Sequence, residues 1–149
     1  MVEGASGGAE RGANIVAAMS SEDAALRRSI GIVFSDGGLL AVTAQRPHGS
    51  AAHGDEEVVA ILCGPDGAPV EVSETLLSTE YGPDGVQRRA TLELWTDGED
   101  GAPMRGAGSL ISSSSVDRPG LAAEVAFFRW SVEGREGLGH YEVVRAADG

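Results

Sequence analysis

Apolar and polar residues alternate with a period of two over most of this chain, the pattern of strands that bury one face. In Arg88–Thr96, Ala90, Leu92 and Leu94 share a face, with Arg89, Thr91, Glu93 and Trp95 opposite. In Glu124–Val132, Ala126, Phe128, Trp130 and Val132 oppose Val125, Phe127, Arg129 and Ser131. The middle of that stretch is apolar on both faces, which suits a strand between layers or one at a dimer face. Further strands are predicted over 29–35, 39–46, 56–63, 70–81, 104–113 and 138–145, with a loop over 114–123. Turn signals separate them: Asp36-Gly37-Gly38, Gly-Pro-Asp-Gly at 64–67 and again at 82–85, Asp97-Gly98, and Glu133–Gly137. Glycine accepts positive φ and proline presets its own φ, so these are turn dipeptides with a mechanism. Strand–turn units at this spacing predict an all-β fold, an antiparallel barrel or sandwich of roughly eight strands. The strands beside the two Gly-Pro-Asp-Gly turns are not similar, so the order is a meander without internal repeat.

One stretch, residues 13–28 (ANIVAAMSSEDAALRR), reads as a short helix. Ser20 or Ser21 would cap it and Arg27 and Arg28 would sit near its end. The division expected is a tail with this helix over 1–28 and a β-domain over 29–149. Gly4-Ala5-Ser6-Gly7-Gly8 matches the G-x-S-x-G letters, but neither the strand before nor the helix after that a nucleophile elbow needs is present.

Composition narrows the chemistry. Among 149 residues there are 23 acidic side chains and 11 basic ones, a formal charge of −12, and every basic one is arginine. The absence of lysine excludes Schiff-base chemistry and a P-loop. The acidity argues against nucleic acid and anionic membranes as partners. The single cysteine, Cys63, permits neither an internal disulfide nor a cysteine zinc site; at the end of an apolar strand it reads as a small buried residue. No apolar run nears the roughly 18 residues of a membrane span, and the start lacks a signal-peptide layout, so a cytoplasmic domain is expected. His48, His53, Asp55, Glu56 and Glu57 crowd one loop region but meet no standard zinc spacing, so no metal is expected there. Gly106-Ala107-Gly108 lacks the third glycine of a dinucleotide loop and reads as strand glycines. No cofactor is expected.

Strand parity places Leu138, His140, Glu142 and Val144 on one face. An imidazole beside a carboxylate can act as an acid–base pair, and partial burial raises a carboxyl pKa toward proton donation. The same alternation equally describes an exposed polar face with Tyr141 and Val143 inward. Trp95, Trp130, Tyr81, Tyr141 and Phe128 can line a cavity or form plain core. Arg129, between Phe128 and Trp130, must pair or snorkel, with Glu80, Glu93 or Glu142 as candidate partners, and a buried arginine can also bind a substrate carboxylate or enolate.

RRATLELW (88–95) and FFRWSVEGREGLGHYE (127–142) resemble a lipocalin-like family related to carotenoid hydratase, the AttH proteins and tocopherol cyclase. Trp130, Gly134, Arg135, Gly137, Gly139 and Glu142 occupy the places of its closing strand pair and Gly-Arg-x-Gly turn. The resemblance covers roughly residues 29–145. Leu138 stands where the family has an aromatic, and this chain holds one domain where relatives tend to carry two. The resemblance implies a lipocalin-like β-barrel with an apolar cavity, and cofactor-free hydration, dehydration or cyclisation of terpenoid-like or polyketide-like substrates. Three functions follow as expectations. The first is a cyclase, isomerase or dehydratase using Glu142, His140 and Arg129, with Trp130, Tyr141, Trp95, Tyr81 and Phe128 as the substrate pocket. The second is a carrier or sensor of a small apolar molecule, and the third is a sheet-face interaction domain. A homodimer is expected, because a symmetric copy can supply the second domain.

Overall fold

A computed structural model describes residues 24–47, 56–96 and 101–146. They form β1 (Ala24–Phe34), β2 (Leu39–Pro47), β3 (Glu57–Cys63), β4 (Pro69–Val70), β5 (Val72–Tyr81), β6 (Gln87–Thr96), β7 (Met104–Arg118), β8 (Leu121–Val132) and β9 (Arg135–Ala146). These strands make one sheet in the order β4-β3-β2-β1-β9-β8-β7-β6-β5, antiparallel throughout. It curls until β3 lies against β5, giving a nearly closed antiparallel barrel of nine strands. No helix occurs among the described residues.

The turns have the chemistry their residues predict. Asp66 and Asp84 each accept a hydrogen bond from the backbone N–H two residues on, Ala68 at 2.9 Å and Val86 at 3.1 Å. Gly67 and Gly85 follow at φ 83° and 81°, a conformation that a side chain disfavours.

Inward positions follow the expected parity. In β8, Ala126, Phe128, Trp130 and Val132 are buried. Phe128 stacks on Trp130 with ring centroids 5.2 Å apart, and Tyr141 meets Phe128 edge-on at 5.5 Å. The strand glycines of β7 make room for this cluster: a Cβ on Gly108 would lie 2.4 Å from the Trp130 ring. One end of the barrel is shut. Arg135 lies 4.2 Å over the Phe34 ring and forms an ion pair with Asp36 at 2.6 Å, tying the β8–β9 turn to the β1–β2 turn. That guanidinium pulls the Asp36 carboxyl down to about 2.

Three expectations need correcting. Residues 24–28, read as the end of a helix, open β1 instead. The ladders to Pro47, Arg46 and Arg145 supply backbone partners that a lone helical turn lacks; residues 13–23 lie outside the described residues. Residues 114–118, read as loop, continue β7, because β8 pairs with them as far as Arg118. The stretch 70–81, read as one strand, breaks at Glu71. There the chain leaves β4 at one edge of the sheet and enters β5 at the other.

Candidate functional site

At the end of the barrel opposite Arg135, the inward row of side chains turns polar. Arg28 continues the inward face of Ile30, Ile32 and Phe34 on β1 and is itself buried. Glu56 stands just before β3, Thr79 near the end of β5, and Tyr141 on β9. Arg28 donates to both oxygens of Glu56, Nε to Oε2 at 3.2 Å and Nη2 to Oε1 at 2.6 Å. Its Nη1 donates to Thr79 Oγ1 at 3.1 Å and to Tyr141 Oη at 3.4 Å. Thr79 Oγ1 and Tyr141 Oη are also hydrogen-bonded to one another.

The electrostatics follow from burial. Burial pushes the Tyr141 phenol up to about 12, against the pull of Arg28 and the Thr79 hydrogen bond, so the phenol is neutral and a donor near pH 7. Burial works against the charge on Arg28, but Tyr141 and Glu56 outweigh it and hold that pKa above its ordinary value. Gln87, fully buried, donates from Nε2 to the carbonyls of Glu124 at 3.0 Å and Tyr141 at 2.6 Å, fixing the backbone behind the phenol.

A cavity of about 560 Å³ opens over this cluster. Leu26 and Leu77 give it apolar walls, Arg28, Glu56 and Thr79 its polar wall, and Arg46, Tyr81 and Arg145 its rim. Arg145 stands 5.8 Å over the Tyr81 ring. Its volume is in the range of small-molecule sites. The arrangement offers a guanidinium and a hydroxyl as converging donors, with a phenol behind them, to an oxygen that gains negative charge.

The residues singled out from sequence divide between the two faces of the wall. Tyr141 joins the polar cluster and Tyr81 its rim. Phe128 and Trp130 are fully buried in the core and are not part of the lining of the Arg28 cavity. Trp95 is half-buried toward the end of β6, away from the mouth, where its carbonyl accepts from Ser73 Oγ at 3.0 Å. Glu142, His140 and Arg129 sit on the outer face: pairing of Gly31 with His140 and of Ser29 with Glu142 sets them opposite the inward row of β1. His140 and Glu142 do share a face, but that face points away from the cavity, so the expected acid–base pair does not meet the interior. Arg129 is exposed and has no ion-pair partner among the described residues; Glu93, one candidate partner, takes Arg105 at 3.5 Å instead. His48, His53 and Asp55 lie outside the described residues, as does Ser6.

Thr79 and Gln87 carry no signal of their own, Arg28 reads only as a helix-end residue, and Glu56 only as one member of the acidic and histidine-rich loop set. Arg28 was legible in principle: extending the strand at 29–35 backwards by one residue puts it in phase with Ile30 and Ile32. Glu56 and Thr79 carry no such signal, because their meeting depends on how the barrel closes.

No family model matches the chain, and no curated protein does. Solved structures do. The crystal structure of CghA with Sch210972 superposes with a TM-score of 0.60 at 16% identity, over 86% of this chain and 42% of that one. A crystal structure of CghA alone gives a TM-score of 0.55 at the same identity and coverage. The likeness is one of fold, and the chain spans 42% of the length of the protein it resembles. No helix among the described residues is long and apolar enough to cross a membrane.

Proposed function

We propose that this chain binds a small, largely apolar natural-product molecule at the Arg28 mouth and acts on it without a redox cofactor, as a cyclase, isomerase or dehydratase. The observation that carries this reading is the buried Arg28–Thr79–Tyr141 cluster facing a cavity with apolar walls. In an otherwise apolar interior, fixed donors stabilise charge developing on a carbonyl or enolate oxygen far more than water does. Arg28 and Thr79 touch the bound molecule. Tyr141 and Glu56 are positioning residues, Tyr141 because its hydroxyl is bonded behind the other two, Glu56 because it holds the guanidinium in plane. The fold likeness to CghA, whose structure holds Sch210972, supports a natural-product ligand, as does the resemblance to terpenoid- and polyketide-modifying relatives. The reading uses one chain's cavity and holds for a monomer or a homodimer alike.

A second reading, a carrier that binds without turnover, is favoured by one observation. Glu56, the carboxylate on the cavity wall, already spends both oxygens on Arg28 and is poorly placed to exchange a proton. Amide chemical-shift mapping with Sch210972 as the probe tests both. Shifts confined to Arg28, Thr79, Tyr81 and Arg145, and at least tenfold weaker binding in Thr79→Val, support the site. Shifts elsewhere, or none at millimolar probe, overturn it. Conversion of a bound oxygen-bearing apolar molecule into a rearranged product, followed by mass spectrometry, separates enzyme from carrier.

A further inference from the structure

The outer face of the wall carries what the cavity does not use. Val33, Leu138, Leu39 and Phe127 are 67%, 47%, 43% and 43% exposed. The ladders set them side by side: Leu39 pairs with Val33, Val33 with Leu138, and Leu138 with Arg129. The next row runs Ala41, Gly31, His140, Phe127, and the row after it includes Ser29, Glu142 and Val125. The middle row is low, because the His140 imidazole lies down over Gly31, where a Cβ would come within 2.7 Å of it. Contiguous apolar surface of this kind on a folded domain marks an interaction site. Arg129, Glu136 and Glu142 are charges at its edges, and none has an ion-pair partner among the described residues.

We infer that this face pairs with a second copy of the chain about a two-fold axis through the midpoint of the His140–Phe127 pair. The register carries the argument. Arg129 and Glu142 lie on adjacent strands, one row to either side of that pair. A two-fold axis in the plane of the face, running roughly across the strands, therefore exchanges their positions and sets each Arg129 against the partner's Glu142. With strands about 4.8 Å apart and rows about 6.8 Å apart, the same rotation lays Val33 over the hollow at the partner's Gly31 and Ala41, and Phe127 against the partner's Phe127. The face is thus complementary to itself in both charge and shape, as an isologous interface requires. Charge selects the place as well. Two chains of −12 repel over most of their surfaces, and this patch, which presents the unpaired Arg129 cation to the partner's carboxylates, lets them approach.

Sedimentation velocity over roughly 1–200 µM, a span suited to an interface of modest size, tests the pairing. The wild-type chain is expected to shift from monomer to dimer within it. Leu138→Glu, an outward change, is expected to keep the circular dichroism and melting temperature while weakening association at least tenfold. Arg129→Glu alone is expected to weaken association by a similar factor, and Arg129→Glu with Glu142→Arg to restore it to within about threefold of wild type. A wild-type monomer at 200 µM, a dimer indifferent to Leu138→Glu, or a charge swap that restores nothing each overturns the inference.

Discussion

The Arg28–Glu56 pair can be dissected by a double-mutant cycle whose outcome the geometry fixes in advance. The two side chains are unequally buried, 10% exposed for Arg28 and 18% for Glu56. Glu56→Leu leaves a cation inside the barrel with only Thr79 and Tyr141 as neutral partners, at a cost of about 3 kcal/mol. Arg28→Met leaves the anion instead, but Glu56 stands at the mouth and can take up water, so the cost is smaller, about 2 kcal/mol. Arg28→Met with Glu56→Leu removes both charges and their shared desolvation. The double variant is expected to be no worse than the milder single one, a non-additivity of about 3 kcal/mol. Urea unfolding is the assay, with an unchanged slope as the sign that the midpoints report stability alone. Single costs that add to within about 0.5 kcal/mol in the double variant would mean that the guanidinium and carboxylate are separately solvated, and would refute the description of this end as a desolvated ion pair.

Two further outcomes follow. Tyr141→Phe tests the buried phenol: a phenol whose pKa is raised to about 12 in the fold gives stability that is full below its unfolded value near 10 and lost as pH rises from about 10 through 12. The wild type should therefore lose stability over that interval more steeply than Tyr141→Phe when melting temperatures are compared by pH, and parallel curves would show the phenol to be solvated. Gly139→Ala should yield little folded protein, because its Cβ would lie 1.7 Å from the Gly31 carbonyl oxygen, inside the β1–β9 ladder where neither backbone can yield. A loss under about 2 kcal/mol in urea would show that β1 and β9 are less closely paired than described.

The fold was legible because a sheet with one buried face writes its period into the sequence. The inward row of β8 and the repeated Gly-Pro-Asp-Gly turns stand where the alternation and the turn chemistry put them. Alternation does not say which of two faces is inside when both carry apolar groups, and β9 is such a case. His140 and Glu142 share a face as parity requires, yet glycine fills the inward positions 137 and 139, so the bulkier outward residues drew attention to the wrong side. The helical reading at 24–28 failed for a related reason. Arg27 and Arg28 suit a helix end, but local preference yields to two flanking strands that need a partner. The polar cluster joins residues up to 113 positions apart, and that contact is set by barrel closure, which no local pattern encodes.

Filling of the interior decides how a ligand can bind. Trp130, Phe128 and the residues around them occupy the middle of the barrel with no exposed surface, and Arg135 over Phe34 closes the far end. Among the described residues, the proposed ligand would therefore enter at the Arg28 end, as deep as Thr79 and the phenol behind it. Apolar contact there comes from Leu26, Leu77, Ala146 and the Tyr81 ring, so burial alone would give weak binding and little discrimination among apolar molecules. Discrimination falls instead to the polar wall. A ligand without an oxygen to meet Arg28 and Thr79 would have to cover the guanidinium without bonding to it, leaving a charged donor unsatisfied at a cost of about 1–3 kcal/mol. On the proposed function, the mouth would therefore favour molecules that join an apolar body to a carbonyl, enolate or carboxylate oxygen over pure hydrocarbons of the same shape.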